Sequence, residues 1–335
     1  MDNDSYLLLL LSDGNLPTGS FVSSSGLESY FKHGFPAITQ ANQTQIPANV
    51  EATLTFINQS LAAYARLALP FASDAHDIAV NASVSTERDV LHHLQELDRR
   101  YESMTLNHVT RRASKAQGVA LLTLLSKGFS RPTWMGSLGD NAIQVLSGQK
   151  YPAQAQYEVH KSTIDTFKLS IRNGESPGHL PVCWGILTAS LPLSKGLSNA
   201  LIAIVLTIAS QPQRASKARS QQLFLFLYAR SLLSSAIRLN TIGPYAAQQL
   251  LLHVIRVMVD EEVARCGSLS AGMPNRQKRK SARTSKYASN PLPYAEDEDE
   301  DWKRLELDSL PATTWPLGEI LGARHDLQHS RIFNS

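Results

Sequence analysis

Residues 221–240 are apolar nearly all the way round a helical wheel: Leu223, Phe224, Leu225, Phe226 and Leu227, then Leu232, Leu233, Ala236, Ile237 and Leu239. A surface helix shows one apolar stripe, whereas a helix apolar on every side is wrapped by others. Gly243-Pro244 ends this helix and opens a second, because a proline in a first turn gives up an N–H that has no partner there. The second helix carries Ala246, Leu250, Val254, Val257 and Met258 on one side, with Leu251, Leu252 and Ile255 widening the stripe. Residues 221–265 therefore predict a buried helical hairpin, and the rest of the chain must supply the elements that cover it.

The remaining segments fit that role. Val50, Leu54, Ile57, Leu61, Tyr64 and Ala68 step by three and four, which predicts an amphipathic helix over residues 48–69, with a shorter one over 71–80. Thr86 caps a helix whose inward set is Val90, Leu91, Leu94, Leu97, Tyr101 and Met104. Residues 110–126, 154–171, 182–191 and 198–210 read as further helices. A short helix begins at residues 7–11 and another after Ser25-Gly26-Leu27-Glu28, which has the Ser-x-x-Glu form of a capping box. No window alternates with period two over the length of a strand. The expectation is an all-α fold, a single bundle of about ten helices around the central hairpin, occupying residues 1–267. Polar insertions fall near residues 35–49, 127–151 and 211–220.

Beyond Cys266 the composition changes. Arg276, Lys278, Arg279, Lys280, Arg283 and Lys286 precede an unbroken acidic run at residues 296–301. With almost nothing apolar between them, residues 268–302 read as a disordered charged linker that cannot offset its ordering entropy. Apolar character returns in residues 303–335, which end in Arg331-Ile332-Phe333-Asn334-Ser335. Such an end is a docking segment, seated on its own fold or on a partner.

Charge and cysteine usage exclude several classes. Lys and Arg total 32 against 29 Asp and Glu, a net charge of +3, which does not describe a basic nucleic-acid face. Two cysteines, Cys183 and Cys266, make no disulfide framework. The acidic Asp2 and Asp4 stand where a signal peptide carries positive charge, and no run reaches the roughly 18 apolar residues of a membrane span. These features predict a cytoplasmic protein that uses neither membrane nor nucleic acid.

The chain is also poor in catalytic patterns. Gly148-Gln149-Lys150 lacks the upstream glycine and the following hydroxyl of a phosphate-binding loop. Gly-x-Ser-x-Gly, His-Glu-x-x-His and paired Cys-x-x-Cys are missing. His325 and His329 share one helical face at i and i+4, which makes them weak candidate metal ligands, since a stable site takes three or four. The residues alone predict a helical interaction protein, not an enzyme.

Five blocks in order along the chain resemble the urease accessory protein family UreF. They are residues 10–21 continued by Ser25-Gly26-Leu27-Glu28; Asn107, Arg111, Ser114 and Gly118; His179-Leu180-Pro181-Val182 with Gly185; Arg238-Leu239-Asn240-Thr241-Ile242-Gly243 with Gln248; and His325-Asp326 with residues 330–335. The resemblance implies a non-catalytic chaperone with no stably bound cofactor. It would bind the UreD-type scaffold (also called UreH) and recruit the UreG GTPase, commonly as a homodimer within the complex, for nickel insertion into apo-urease. It places partner contacts at Phe21, Glu28, His325, Asp326, Ser330, Arg331, Ile332 and Phe333, with Arg331 at the tail arginine associated with recruiting the GTPase. A second reading makes the chain a GTPase-activating or GTPase-regulating protein that acts on UreG through Arg331. The sequence departs from the family where His329 replaces a usual tyrosine, which argues against a family-wide nickel site at His325 and His329. The linker at 268–302 and the stretch near 211–220 read as insertions of a eukaryotic, fungal kind.

Overall fold

The computed structural model describes residues 3–13, 24–35, 46–83, 86–129, 152–191, 212–272 and 310–328. Among these residues every regular element is helical and no strand occurs. In chain order the α-helices are α1 (Asn3–Leu11), α2 (Leu27–Lys32), α3 (Ala48–Val80), α4 (Glu87–Met104), α5 (His108–Gly128) and α6 (Pro152–Arg172), followed by α7 (Leu180–Ser190), α8 (Pro212–Arg238), α9 (Pro244–Leu250), α10 (Arg256–Cys266) and α11 (Pro316–Ala323). No helix among the described residues is long and apolar enough to cross a membrane.

The bundle is assembled on α3, a helix of 33 residues and so about 50 Å long at the α-helical rise. Sequence periodicity predicts two helices here, but the chain runs straight through Pro70 as one. A proline inside an isolated helix costs about 3 kcal/mol, because it removes a hydrogen bond and crowds the preceding turn. Here Leu67, Ala68, Leu69, Phe71 and Ala72 are all buried around it, and that packing offsets the loss.

Against α3 lies α7, buried along its length from Pro181 to Ser190. Its Gly185 sits where a Cβ would come within 2.6 Å of the Ala72 carbonyl oxygen, the Ala75 Cβ and the His76 amide nitrogen. Only glycine allows the two backbones this close approach. Trp184, one residue earlier, donates its indole N–H to the Ser220 carbonyl at 3.2 Å and so ties α7 to α8.

The hairpin begins earlier than its composition suggests. Composition predicts a polar connector over residues 211–220, but α8 starts at Pro212 and includes residues 212–220. Their polar side chains have partners that composition does not reveal: Lys217 Nζ reaches Asp77 Oδ2 at 2.6 Å, and buried Ser220 donates to Thr188 Oγ1 at 2.9 Å. Farther along, Leu225, Ala229, Leu232, Leu233 and Ala236 are buried, and Tyr228 stacks on Tyr64 with ring centroids 3.9 Å apart. Asn240 ends the arm in the left-handed region at φ 54, and Gly243-Pro244 starts the return.

The return arm contains one π-helical turn, Leu251–Ile255, between α9 and α10. This wider turn carries an extra residue. The buried positions accordingly step by five, from Leu250 to Ile255, before resuming at Val259 and Cys266. Leu252 and Val257, expected in the inward stripe, are 65% and 54% exposed. A helical period carried unbroken through the turn misassigns them.

Two further expectations change. Ser25 does not cap α2: it has φ 52, the cap position is Gly26 at φ 94, and the Glu28 amide donates to Ser24 Oγ at 3.2 Å. The charged linker does not begin at residue 268. Ala271 is buried, and its amide and the Ser270 hydroxyl both donate to Asp74 Oδ2, at 2.8 and 2.9 Å. Residues 273–309 lie outside the described residues, as does most of the 127–151 insertion.

Gly185→Ala forces a methyl group against the α3 backbone, and overpacking of this kind costs about 1–3 kcal/mol. Urea titration should show a lowered midpoint with an unchanged slope. An unaltered midpoint would mean that α7 and α3 are not in close contact.

Candidate functional site

Residues 310–328 form a C-terminal strap across the bundle, made of α11 and a 3-10 turn at Arg324–Leu327. Pro316 opens α11 at its first position, where it costs no hydrogen bond. The strap rests on α2 and on the N-terminal end of α5.

Backbone fits backbone at α2. A Cβ on Gly26 would stand 2.9 Å from the Gly322 amide nitrogen and 3.1 Å from Leu321. Positive φ and lack of space both require glycine there. Leu321 is buried, and Trp315 meets the ring of Phe56 edge-on at 5.2 Å between centroids.

Asn107 serves two elements at once. Its Oδ1 accepts from the amides of Val109 and Thr110, at 3.0 and 3.3 Å, which caps α5. Its Nδ2 donates to the Glu319 carbonyl at 3.0 Å and anchors the strap to that cap. One turn on, Arg112 Nη2 donates to Asp326 Oδ1 at 2.7 Å, while His108 Nε2 lies 3.0 Å from Asp326 Oδ2. The Arg112 hydrogen bond, with His108 beside it, holds the Asp326 carboxyl below the usual range. The strap ends with Gln328 Nε2 donating to Ser29 Oγ at 3.1 Å.

His325 is buried beside this clasp. Burial pushes its imidazole pKa down against the pull of the Asp326 and Glu28 carboxylates. Glu28 is itself buried. Its Oε1 pairs with Lys32 Nζ at 2.9 Å, and its Oε2 has no hydrogen-bond partner among the described residues. Three of the expected contact residues, Glu28, His325 and Asp326, are therefore gathered at one place. Phe21, Ser330, Arg331, Ile332 and Phe333 lie outside the described residues, and so does His329. Among the described residues no group of three or more His, Cys, Asp or Glu side chains is placed to hold a metal ion.

A buried polar network stiffens the shelf on which the strap rests. Asp98 accepts from Ser176 Oγ at 2.7 Å and from the amides of Gly178 and His179 at 2.6 and 2.9 Å. His179 in turn contacts Ser114 Oγ at 3.1 Å through Nδ1 and the Glu102 carboxylate through Nε2. One imidazole thus joins α4, α5 and the start of α7. Burial holds its pKa below the ordinary value, with Asp98 and Glu102 opposing. Sequence reading marked Asn107, Ser114 and His179 as patterned positions without finding these partners. Arg112 and His108 gave no signal, because their partner is 214 or more residues away.

Comparison with known proteins places this architecture. The UreF family model matches residues 48–200 and 192–255, from the start of α3 into the return arm of the hairpin. The chain is 37% identical over 352 residues to urease accessory protein 6 of Cryptococcus neoformans var. grubii, covering 98% of this chain and 96% of that one.

The chain belongs to the UreF family.

A UreF-like urease accessory protein of Schizosaccharomyces pombe is 24% identical, over 99% of this chain and 97% of its own length. Urease accessory protein F of Oryza sativa subsp. indica is 29% identical, over 72% of this chain and 65% of its own. In this UreF chain the strap lies beyond the matched region, yet it is seated by Gly26 and Asn107, whose blocks are far apart in sequence.

Two predictions follow from these contacts. Asn107→Ala removes both the cap and the strap anchor and should lower unfolding free energy by about 1–2 kcal/mol. Asn107→Asp keeps the acceptor and loses only the donor to Glu319, so it should recover most of that loss in urea titration. The second concerns pH. An unfolded histidine takes up a proton near pH 6.5, whereas folded His179 does so only at lower pH. Below about pH 6.5 the unfolded chain therefore binds more protons, and the His179 contribution to stability falls as pH falls. His179→Gln should flatten that part of the stability–pH profile; an unchanged profile would refute a lowered pKa.

Proposed function

We propose that this chain is a urease accessory protein that works as a non-catalytic adaptor. In this reading it binds a UreD-type scaffold, recruits the UreG GTPase, and serves nickel insertion into apo-urease in the cytoplasm as part of a dimeric complex. The nickel is cargo handled by the assembly and not a resident of this chain.

The observation that carries the reading is the surface around the strap. Leu106 is 81% exposed, Ile320 61% and Leu327 66%, and hydrogen bonds place all three around one junction: Asn107 to Glu319, and His108 to Asp326. An apolar centre rimmed by Arg112, Asp326 and His108 has the composition of a protein-docking surface. Family membership and relatives named as urease accessory proteins over nearly their whole length support the same assignment.

The test is reconstitution with scaffold and GTPase. Ile320→Glu places a charge in the apolar centre and should weaken scaffold capture tenfold or more, about 1.4 kcal/mol, while leaving the melting temperature unchanged. Arg331→Ala should weaken assembly by about 2 kcal/mol. Capture at wild-type level by both variants would refute the adaptor reading. Loss of urease activity in a deletion strain that still makes urease protein would support the pathway assignment.

A further inference from the structure

A pocket of about 260 Å³, open to solvent on one side, lies between α11 and the bundle. An engineered cavity of about 150 Å³ already holds benzene, so this one has room for an aromatic ring with a substituent. Its walls include the rings of Tyr64, Tyr101, Tyr228, Phe224, Trp184 and Trp315. Tyr64 stacks on Tyr228 and on Phe224, and Trp184 leans on Phe224, with centroids 3.9, 5.3 and 5.7 Å apart. The rings hold one another in place, so the apolar wall is formed before anything enters it.

Several polar groups of the wall are engaged within the protein. Trp184 donates to Ser220, Tyr228 shares a hydrogen bond of 2.7 Å with Ser60, and Tyr101 bonds to Thr105 and Ser114. The Tyr64 hydroxyl differs: it has no hydrogen-bond partner among the described residues. Burial raises its pKa, and repulsion from Tyr101 and Tyr228 adds to that, so it keeps its proton and can donate. Glu319 brings a carboxyl group to the same pocket. Its charge acts on the Tyr101 and Tyr228 phenols, so it faces the rings, and its oxygens can accept. A donor and an acceptor thus stand against an aromatic wall. Charge does not select an ion here. Among the described residues the wall holds the guanidinium of Arg230, which already donates to the Ser12 carbonyl, and the carboxyl groups of Asp13 and Glu319.

We propose that this pocket binds a small, uncharged aromatic carboxamide. The ring of the ligand packs among the aromatic side chains, its carbonyl oxygen accepts from the Tyr64 hydroxyl, and its amide N–H donates to Glu319. This inference stands on the pocket alone and not on the identity of any assembly partner.

The full chain is titrated with benzamide, benzoate and benzylamine, followed by ligand-observed saturation-transfer NMR and by calorimetry. Benzamide should bind with a Kd of about 1 mM or tighter, and roughly tenfold more tightly than either charged analogue. Tyr64→Phe keeps the ring and removes the donor; it should weaken benzamide about fivefold and leave toluene binding unchanged. Ala63→Phe fills the pocket and should abolish binding of both. No saturation transfer to benzamide at several millimolar would overturn the site. Tighter binding of benzoate or benzylamine would overturn the uncharged ligand class, and an unchanged Kd in Tyr64→Phe would overturn the hydroxyl as its donor. Binding that survives Ala63→Phe would place benzamide elsewhere and overturn the pocket. If Ala63→Phe lowers helicity by circular dichroism, Ala63→Leu replaces it and is judged by the same titration. Scaffold capture is not a readout of this experiment, so its outcome is separate from that of the adaptor assignment.

Discussion

The backbone of α7 lies against that of α3 at a separation set by the absence of a side chain at position 185. Everything that positions the C-terminal strap follows from this contact. With α7 held there, His179 at its start reaches Glu102 on α4 and Ser114 on α5, and Trp184 reaches Ser220 on α8. The N-terminal end of α5 is thereby fixed relative to α2 and α3. Asn107 can then cap one helix and hold the next with the same amide group. A protein interior has no slack to absorb a methyl group at such a place, so the geometry is defined to within fractions of an ångström.

How much of this was legible in the sequence depended on how local the cause was. The apolar steps of residues 48–69 and the Thr86 cap are local, and both stand in the structure as read, the Asp89 amide donating to Thr86 Oγ1 at 3.2 Å. Pro70 and the polar run at 211–220 were misread for one reason. Each breaks a local rule whose cost is met by the tertiary fold: burial of the helix on both sides of Pro70, Asp77 for Lys217, and Thr188 for Ser220. The Ser25 box failed because chain passing over Gly26 requires a left-handed pair instead of a capped turn. Family resemblance located His325 and Asp326, but no sequence rule pairs Asp326 with Arg112 across 214 residues.

The strap shows how a docking element differs from a core element. Helices of the core bury their apolar side chains and owe little to any single polar contact. In α11 the order is partly reversed, with Ile320 outside and the Glu319 backbone tied down by an amide. Such an element contributes modestly to the stability of its own chain. It is therefore free to be selected for what it presents outward, and surface segments that carry binding are drawn from this less stable end of a fold.

The π-helical turn at Leu251–Ile255 has a similar consequence for the hairpin. It absorbs one extra residue, so the arm before it and the arm after it face the bundle on one side although their buried positions step by five across the turn. Closing the turn to ordinary winding with its extra residue kept would swing the whole of α10 by about 100°, whereas removing that residue at the same time would leave α10 facing the bundle. Such a swing would turn Val259 and Cys266 together off their buried seats. Length at this one turn, more than residue type, is what keeps the two ends of the return arm in step.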